Sequence, residues 1–332
     1  MKYVIFFSLI LACLMVDAAD PKSIVCLSCN TTNTSQAVYC KHCGKFIGRS
    51  YPESNHLFNV SSADVLPSMD IQLAGGGAYG LESEHTLLGN LGFGLGDMAE
   101  ISLATHTLFS NLGSQSVVIP ASSFKVRLFS VKGWRPGVAM GFKITPESPI
   151  HESSKGFAAE VGIDESGRSL VELDYTTRFT EANLSATLLF KEMRNTLSFR
   201  VMDVRFINLS TRWSRNFADT MTRTHQIDAD EPNYFYSVGL GTEITASAST
   251  RILLEVSGQP LYNLKKAVEQ NTSVEFSTLF AIIGGVRFYF TDWLYINAGI
   301  KYQSDYHGLA DLNLRSEINL FIPLRRLVGK NK

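Results

Sequence analysis

The segment 70–322 repeatedly alternates apolar and polar residues, and this period of two restricts the fold more than any other feature of the chain. Ile101 and Leu103 fall on one face of a strand, whereas Glu100 and Ser102 fall on the other. Ionised residues therefore lie on the face where a soluble barrel would bury apolar ones. The pattern predicts an apolar outer surface and a polar, hydrated interior, as in a β-barrel that spans a lipid bilayer.

Short and long connections alternate between the strand-like stretches, as in an antiparallel up-and-down transmembrane barrel. We predict an all-β fold with about 14 strands over residues 69–323. Twelve strands is the alternative count, because 80–85 and 179–182 are weak loops and the pattern slips near Asp203. The predicted strands are 69–79, 86–95, 98–107, 123–131, 137–145, 155–164, 168–178, 183–191, 196–207, 234–246, 250–258, 276–290, 293–303 and 312–322.

The composition agrees with strands, tight turns and interfacial aromatic residues, since the chain holds 25 glycines, 21 phenylalanines and 12 tyrosines. After the N-terminal apolar run, no stretch reaches the roughly 20 apolar residues that a membrane-spanning helix needs. A formal net charge of -1 provides no overall field that would attract nucleic acid. The partner implied by this composition is the lipid bilayer.

The inward positions of the predicted strands carry charges of both signs, which favours ion pairs across neighbouring strands. These side chains could line a pore that passes small solutes, as in a porin, or form a salt-bridge lattice that fills the lumen. A non-transporting, anchoring barrel is the alternative function. The candidate lumen-lining residues are Lys125, Arg127, Lys143, Glu160, Glu172, Asp174, Arg200, Glu243, Arg251, Glu255, Arg287, Lys301, Arg315 and Glu317.

The flanking segments have distinct compositions. Residues 1–18 contain a lysine near the start, followed by an apolar run, and they end in small residues. This order predicts a cleaved secretory signal peptide. Residues 48–68 are rich in serine and asparagine and contain two prolines, which predicts a linker. A basic tail occupies residues 324–332.

Two segments carry a resemblance to a known class of protein. The stretch Gly92-Phe-Gly-Leu-Gly-Asp-Met-Ala-Glu-Ile101 and the lead-in Ser62-Ala-Asp-Val-Leu-Pro67 resemble parts of uncharacterised bacterial outer-membrane β-barrels. The resemblance implies an outer-membrane location with both termini in the periplasm, and it implies no particular activity. The basic tail departs from the terminal aromatic residue on which such chains usually end.

Four cysteines in residues 19–47 form two Cys-x2-Cys pairs, Cys26 with Cys29 and Cys40 with Cys43. Four thiolates with this spacing can surround one tetrahedral Zn²⁺, and the segment resembles a zinc ribbon. Asn30, which follows the second cysteine, accepts the positive φ that such a turn needs. Two disulfides are the competing interpretation, because an exported chain meets an oxidising compartment. Either the zinc ion or the two disulfides would stabilise this short module, which could dock a periplasmic protein partner.

The sequence contains no serine elbow, phosphate-binding loop or HExxH motif. The histidines are far apart, and no cysteine of the predicted mature chain is left over as a nucleophile. We therefore expect a protein that is not an enzyme.

Overall fold

The structure is a computed structural model. It describes residues 23–26, 29–34, 40–43, 54–80, 86–110, 117–131, 135–154, 169–190, 193–215, 225–227, 232–247, 249–264, 266–267, 273–291, 293–304 and 312–324. The predicted signal peptide, the predicted strand at 155–164, Glu160 and the tail after Leu324 lie outside these residues.

The described residues contain sixteen strands in two sheets. The strands are β1 (Ser23–Val25), β2 (Thr32–Thr34), β3 (Asp70–Gly80), β4 (Thr86–Leu95), β5 (Ala99–Ser110), β6 (Val117–Phe129), β7 (Gly137–Ile144), β8 (Ser148–Ser154), β9 (Ser169–Phe190), β10 (Met193–Arg215), β11 (His225–Ile227), β12 (Asn233–Thr245), β13 (Thr250–Tyr262), β14 (Phe276–Tyr289), β15 (Leu294–Gln303) and β16 (Asn313–Pro323).

Strands β3 to β7, β9, β10 and β12 to β16 close into an antiparallel ring of twelve that follows the order of the chain. The pairing of β16 with β3 completes the ring, with Leu314 opposite Tyr79. Strands β8 and β11 belong to the same sheet and flank the ends of β9 and β10. The predicted antiparallel barrel is therefore confirmed, and the closed ring has the lower of the two expected strand counts.

The ring has twelve strands rather than fourteen for two reasons: 168–178 and 183–191, which we predicted as separate strands, are one continuous strand, β9, and β9 pairs directly with β7. The expected turn at 179–182 has the sequence Phe-Thr-Glu-Ala, which lacks glycine, proline and asparagine. Pairing with β10 continues unbroken there, with Thr180 opposite Asp203. The irregularity in β10 lies further on, between Ile207 and Ser210, where Asn208 has a φ of 54°.

The outer face of the ring is apolar. Leu103, Phe142, Phe280, Ile282 and Leu314 are each between 48% and 59% exposed, whereas the residues that alternate with them point inward. Such a belt of exposed apolar side chains is the surface that a barrel presents to lipid. Among the described residues, no helix is long and apolar enough to cross a membrane.

The two ends of the ring differ. One end carries the short connections at 96–98, 191–192, 246–249 and 290–293, and we call it the short-turn end. The opposite, long-loop end carries β8, β11 and the extended halves of β9 and β10, which have 22 and 23 residues. Because about 9–11 residues of tilted strand span a bilayer, roughly half of each long strand extends beyond it.

Apolar side chains fill the lumen near the long-loop end, and we call them the mouth cluster. Ring contacts there join strands that are not neighbours: Phe206 of β10 meets Tyr262 of β13 at 5.1 Å, and His106 of β5 stacks on Phe179 of β9 at 3.8 Å. Such contacts require parts of the wall that are not adjacent to approach one another across the lumen. The mouth cluster consists of Ile119, Leu173, Tyr175, Phe179, Met202, Val204, Phe206, Leu209, Phe235, Tyr262, Leu264, Ala267 and Val274.

Candidate functional site: the plugged lumen and the four-cysteine cluster

Residues 54–67 lie inside the short-turn half of the barrel, and we call them the plug. Ten of the fourteen are buried and the other four half-buried, and their contacts are with inward-facing wall residues from β3 round to β16. This differs from the linker predicted over 48–68, because the serine and asparagine side chains of the segment face the polar lumen wall. A wet, charged interior offers such residues the same hydrogen bonds that water offers in a linker.

The tip of the plug is a tight turn wrapped around one carboxylate. The amides of Phe58, Asn59 and Val60 all donate to Oε2 of Glu255, at 3.0, 2.8 and 3.0 Å. The turn is closed by a hydrogen bond from the Leu57 amide to the Val60 carbonyl, at 3.0 Å. Successive N–H groups that converge on one anion form a nest, and here the anion is a buried side chain of β13.

Two arginines of the wall donate to backbone and side-chain oxygens of the plug. Arg315 donates to the Phe58 carbonyl at 2.9 Å and to Oδ1 of Asn59, and its guanidinium lies 5.6 Å from the centre of the Phe58 ring. Arg287, which is fully buried, donates to the His56 carbonyl at 3.0 Å. Because these bonds are charge-assisted, they hold the plug more firmly than neutral pairs would.

The rest of the plug is held by groups on the other side of the ring. Glu100 accepts hydrogen bonds from the Leu66 amide at 2.8 Å and from the Asn55 side chain at 3.1 Å. Lys125 donates to the carbonyls of Asn55 and Asp64, at 2.9 and 2.5 Å. The Asp64 carboxylate pairs with Arg194 of β10.

A chain of polar contacts runs from the plug around the wall. His56 lies 3.1 Å from Glu317, which accepts a hydrogen bond from Asn297 at 3.2 Å. Asn297 accepts from Arg287 at 2.8 Å, and Arg287 donates to Glu243 at 3.0 Å. These contacts between strands of the wall are those expected of a salt-bridge lattice, and His56 of the plug takes part in them.

Glycines on the facing strands allow the plug to approach the wall. A Cβ atom at Gly239 would lie 2.7 Å from Cγ2 of Val60, and one at Gly241 would lie 2.7 Å from Cδ2 of Leu57. Larger residues at these positions would occupy the space that the plug tip fills. The small residues of β12 thus form part of the seat of the plug.

Most of the predicted lumen residues face inward. Lys125, Glu243, Arg251, Glu255, Arg287, Lys301 and Glu317 are buried inside the ring, and Arg315 reaches the plug. Arg127 lies at the short-turn rim, where it donates to the Asp97 carbonyl. Arg200 donates to Oγ of Ser237 at 3.2 Å and to the Gly258 carbonyl at 2.8 Å, and Lys143 lies nearby on the inward face of β7.

Glu172 and Asp174 were predicted to line the lumen, but they lie on the opposite face of β9. Their neighbours Leu173 and Tyr175 are buried in the mouth cluster, and Asp174 contacts His151 at 2.7 Å on an exposed surface. The faces are reversed because this half of β9 extends beyond the bilayer. There the sheet buries apolar residues against the mouth cluster and exposes charged ones, as a water-soluble sheet does.

The four cysteines of the N-terminal unit converge on one point. All four Sγ atoms lie within 4.8 Å of one another, with 3.6 Å between Cys26 and Cys43 and 3.4 Å between Cys29 and Cys40. A tetrahedron with Zn–S bonds of about 2.3 Å has edges of about 3.8 Å, so the cluster fits one Zn²⁺. These S–S distances exceed the disulfide bond length of about 2.05 Å.

The local backbone explains this convergence. Strands β1 and β2 form a short hairpin that carries the first pair of cysteines, and Asn30 adopts the positive φ predicted for it, 55°. The second pair is tied to the hairpin by Asn33, whose Oδ1 accepts from the Lys41 amide at 2.8 Å and whose Nδ2 lies 3.7 Å from Sγ of Cys40. Sequence reasoning missed Asn33, because nothing in its immediate neighbourhood indicates a contact across the module.

Hydrogen bonds in the cluster favour thiolates. The Cys43 amide, and after it the His42 amide, lower the pKa of Cys40 to about 6 despite its burial. The hydroxyl and amide of Thr31 lower the pKa of Cys29. Because a zinc ligand must be a thiolate, these shifts prepare the site for a metal at neutral pH.

Comparisons with known proteins return outer-membrane barrels. The chain is similar to the translocator domain of the autotransporter NalP from Neisseria meningitidis, at 9% identity and a TM-score of 0.42 over 76% of this chain and 85% of that one. It is similar to the NanC porin, at 10% identity and a TM-score of 0.37 over 75% and 97% of the two chains. The KdgM porin, in a complex with disordered oligogalacturonate, matches at 7% identity and a TM-score of 0.37, over 76% and 97%. No protein-family model matches the chain, and no curated protein matches it.

Proposed function

We propose that this protein is an outer-membrane barrel that is closed at rest and anchors its N-terminal cysteine module to the membrane. The single observation that supports this function most strongly is the plug, residues 54–67, which fills the short-turn half of the lumen. The mouth cluster narrows the other half. A barrel filled by its own chain at both ends suits an anchor better than an open pore.

The proposed orientation follows from the position of the cysteine module in the chain. The module precedes the plug, and the plug continues into β3 at the short-turn end. In outer-membrane barrels the short turns face the periplasm, so both termini would lie there after export by the signal peptide. Cys26, Cys29, Cys40 and Cys43 would hold one Zn²⁺ in a structural role, and the module would present a folded surface to a periplasmic protein.

Planar-bilayer recording tests the closed state. We expect purified full-length protein to insert without giving discrete conductance steps, because the plug hydrogen bonds are internal and buried. A variant that displaces the plug, Gly241→Leu, provides the comparison, since its larger side chain would meet Leu57. Discrete steps from the wild-type protein would rule out the closed resting barrel.

A passive, porin-like channel for small solutes is the second candidate. It is favoured by the charges that remain on the wall beyond the plug, among them Lys143 on β7 and Arg200 on β10. Under this alternative the plug would be a gate, and displacing it would produce steps with weak ion selectivity, because inward charges of both signs are present. Strong selectivity for one sign of ion would contradict the assignment of the inward face.

Deletion of residues 19–50 tests the anchoring role without disturbing the plug. We expect the shortened chain to insert normally and to lose the periplasmic proteins that cross-link to the full-length chain. A Cys40→Ser and Cys43→Ser double variant, which keeps the segment but removes half of the ligands, should behave like the deletion. Unchanged cross-linking in both would remove the docking role.

A further inference from the structure

The tip of the β5–β6 hairpin leaves the wall of the barrel. Pairing between β4 and β5 ends at Asn90 and Ala104, although β4 continues to Thr86. Pairing between β6 and β7 ends at Ser122 and Ile144. Beyond these points, the described hairpin residues 105–108 and 117–120 pair with each other and with neither neighbouring strand.

The departing tip bends across the mouth of the ring. Phe109 and Ser110 pair in parallel with Leu261 and Tyr262 of β13, a strand on the opposite side of the ring. Ile119, on the returning strand, is 2% exposed in the mouth cluster. The hairpin therefore folds inward and leaves a gap where it would otherwise have continued the wall.

A groove occupies this gap on the outside of the barrel. It has a volume of about 620 Å³ and is lined by residues 89–91 of β4, 103–105 of β5 and 118–122 of β6, together with Pro146. Its walls include the exposed side chains of Leu91, Leu103 and Val118. The size and the apolar lining match those of a site for a small apolar ligand.

The groove lies within the apolar belt. On the β3 side, outward apolar residues continue beyond the level of the groove to Tyr79, which is 47% exposed. On the β7 side, Ile144 is 53% exposed and is paired with Ser122 of the groove. The groove is thus continuous with the surface that faces lipid.

Most of the groove surface is apolar, and the polar side chains that line it are those of Asn90, Thr105 and Ser122. Pro120, in its β6 wall, has no amide hydrogen, and the Gly89 amide in its β4 wall donates to Oγ1 of Thr105 at 3.0 Å. An apolar groove at membrane depth is unfavourable to fill with water and is in direct contact with hydrocarbon chains.

We propose that this groove binds one acyl chain of a membrane lipid. The chain lies along β4 behind the folded hairpin and fills the space that the hairpin vacates. This site is independent of the closed resting state and of the cysteine module, so its test does not depend on the proposed function.

Photolabelling tests the site with a defined probe. The full-length protein is folded into phosphatidylcholine vesicles that contain a phospholipid with a diazirine on the middle of one acyl chain. The protein is then transferred to detergent, irradiated and digested, and the lipid adducts are located by mass spectrometry. We expect more adducts in 103–105 and 118–122 than in the belt segment 280–286 of β14, because only a bound acyl chain stays on the protein after the transfer to detergent.

Two glycines provide a matched pair of variants. Gly89 lies in the groove, and a Cβ atom there would have only Thr105 Cγ2 near it, at 4.0 Å, so the backbone accepts a side chain at this position and Gly89→Phe directs a ring into the groove. Gly75 is its partner on β3, outside the groove, with no atom of the described chain within 4 Å of a Cβ at that position. We expect Gly89→Phe to lower groove labelling about tenfold, the effect of removing about two methylene contacts, and Gly75→Phe to leave it unchanged.

Heat-modifiable gel migration confirms folding of both variants. If Gly89→Phe does not fold, Val118→Trp fills the groove from β6, with Val238→Trp on the outer face of β12 as its control. Labelling spread evenly around the belt would overturn the proposal. So would groove labelling that a folded groove-filling variant does not reduce.

Discussion

The carboxylate of Glu255 accepts a hydrogen bond of 3.0 Å from the amide of Val60, 195 residues earlier in the chain. The neighbouring amides of Phe58 and Asn59 donate to the same oxygen. One side chain of the wall therefore satisfies the whole tip of the plug.

Replacement of Glu255 by alanine should loosen the plug. The substitution leaves three buried N–H groups without their acceptor, and each costs about 1–3 kcal/mol. We expect the amides of residues 58–60 to exchange with deuterium much faster in Glu255→Ala than in the wild-type barrel. Glu255→Gln keeps an acceptor oxygen and should lie between the two, whereas equal protection in all three proteins would contradict this account of the tip.

Replacement of Gly241 by leucine should displace the plug while leaving the ring intact. The new side chain would take the place of Leu57, since even a Cβ atom lies 2.7 Å from its Cδ2. We expect a cysteine introduced at Ser61, a half-buried residue of the plug whose exchange leaves Leu57 in place, to become reactive towards a water-soluble maleimide in this background. Gly284→Leu is the control, because its Cβ would lie 3.8 Å from Leu254, an ordinary contact on the outer face; if both backgrounds react equally, steric displacement is not the cause.

The consecutive residues Leu314 and Arg315 should respond differently to exchange. Leu314 is 54% exposed on the lipid face, so Leu314→Arg should cost about 2–4 kcal/mol if the position lies near the bilayer midplane. Arg315→Leu should preserve insertion but weaken the plug, because Arg315 donates to Phe58 and Asn59. Folding in lipid vesicles followed by urea unfolding measures both, and a larger loss in Arg315→Leu would mean either that the buried polar contacts of the lumen dominate stability or that the two faces of β16 are misassigned.

Zinc retention by the cysteine cluster should depend on pH in a defined direction. Because the pKa of Cys40 is lowered to about 6, its thiolate persists at neutral pH and is lost only as the pH falls through that value. We expect one bound zinc per chain at pH 7.5, released between about pH 6 and 5, as measured with a chromophoric indicator. Asn33→Ala, which removes the hydrogen bond to the Lys41 amide, should shift release to higher pH, and a chain that never binds zinc after reduction would favour the disulfide alternative.

The alternation of residue types was sufficient to predict the barrel, because lipid outside and charge inside leave a local signature on the strands that cross the bilayer. Leu314 and Arg315, or Phe280 and Ala281, have the predicted faces. The signature fails in the outer half of β9, where Leu173 is buried and Glu172 is not. The residue pattern there still has a period of two. The surroundings change from lipid to water, however, and the period alone does not show which face of the strand meets which environment.

The plug could not be predicted from the sequence for a different reason. A segment such as Ser61-Ser62 within a stretch rich in serine and asparagine has the same composition whether its hydrogen-bond partners are water or a charged wall. Its burial depends on Glu255, Arg287 and Arg315, which lie far along the chain. The Cys-x2-Cys pairs, in contrast, carry their spacing within a short segment, so their convergence was predictable.

The plug also constrains the order in which the barrel can be assembled. Its tip contacts Glu255 and Arg315, which are synthesised 195 and 257 residues after the amides and carbonyl that they bind. Only two residues, 68 and 69, separate the plug from β3, the strand with which β16 pairs to close the ring. The earliest-made part of the barrel unit therefore completes its contacts only when the latest-made strand is in place.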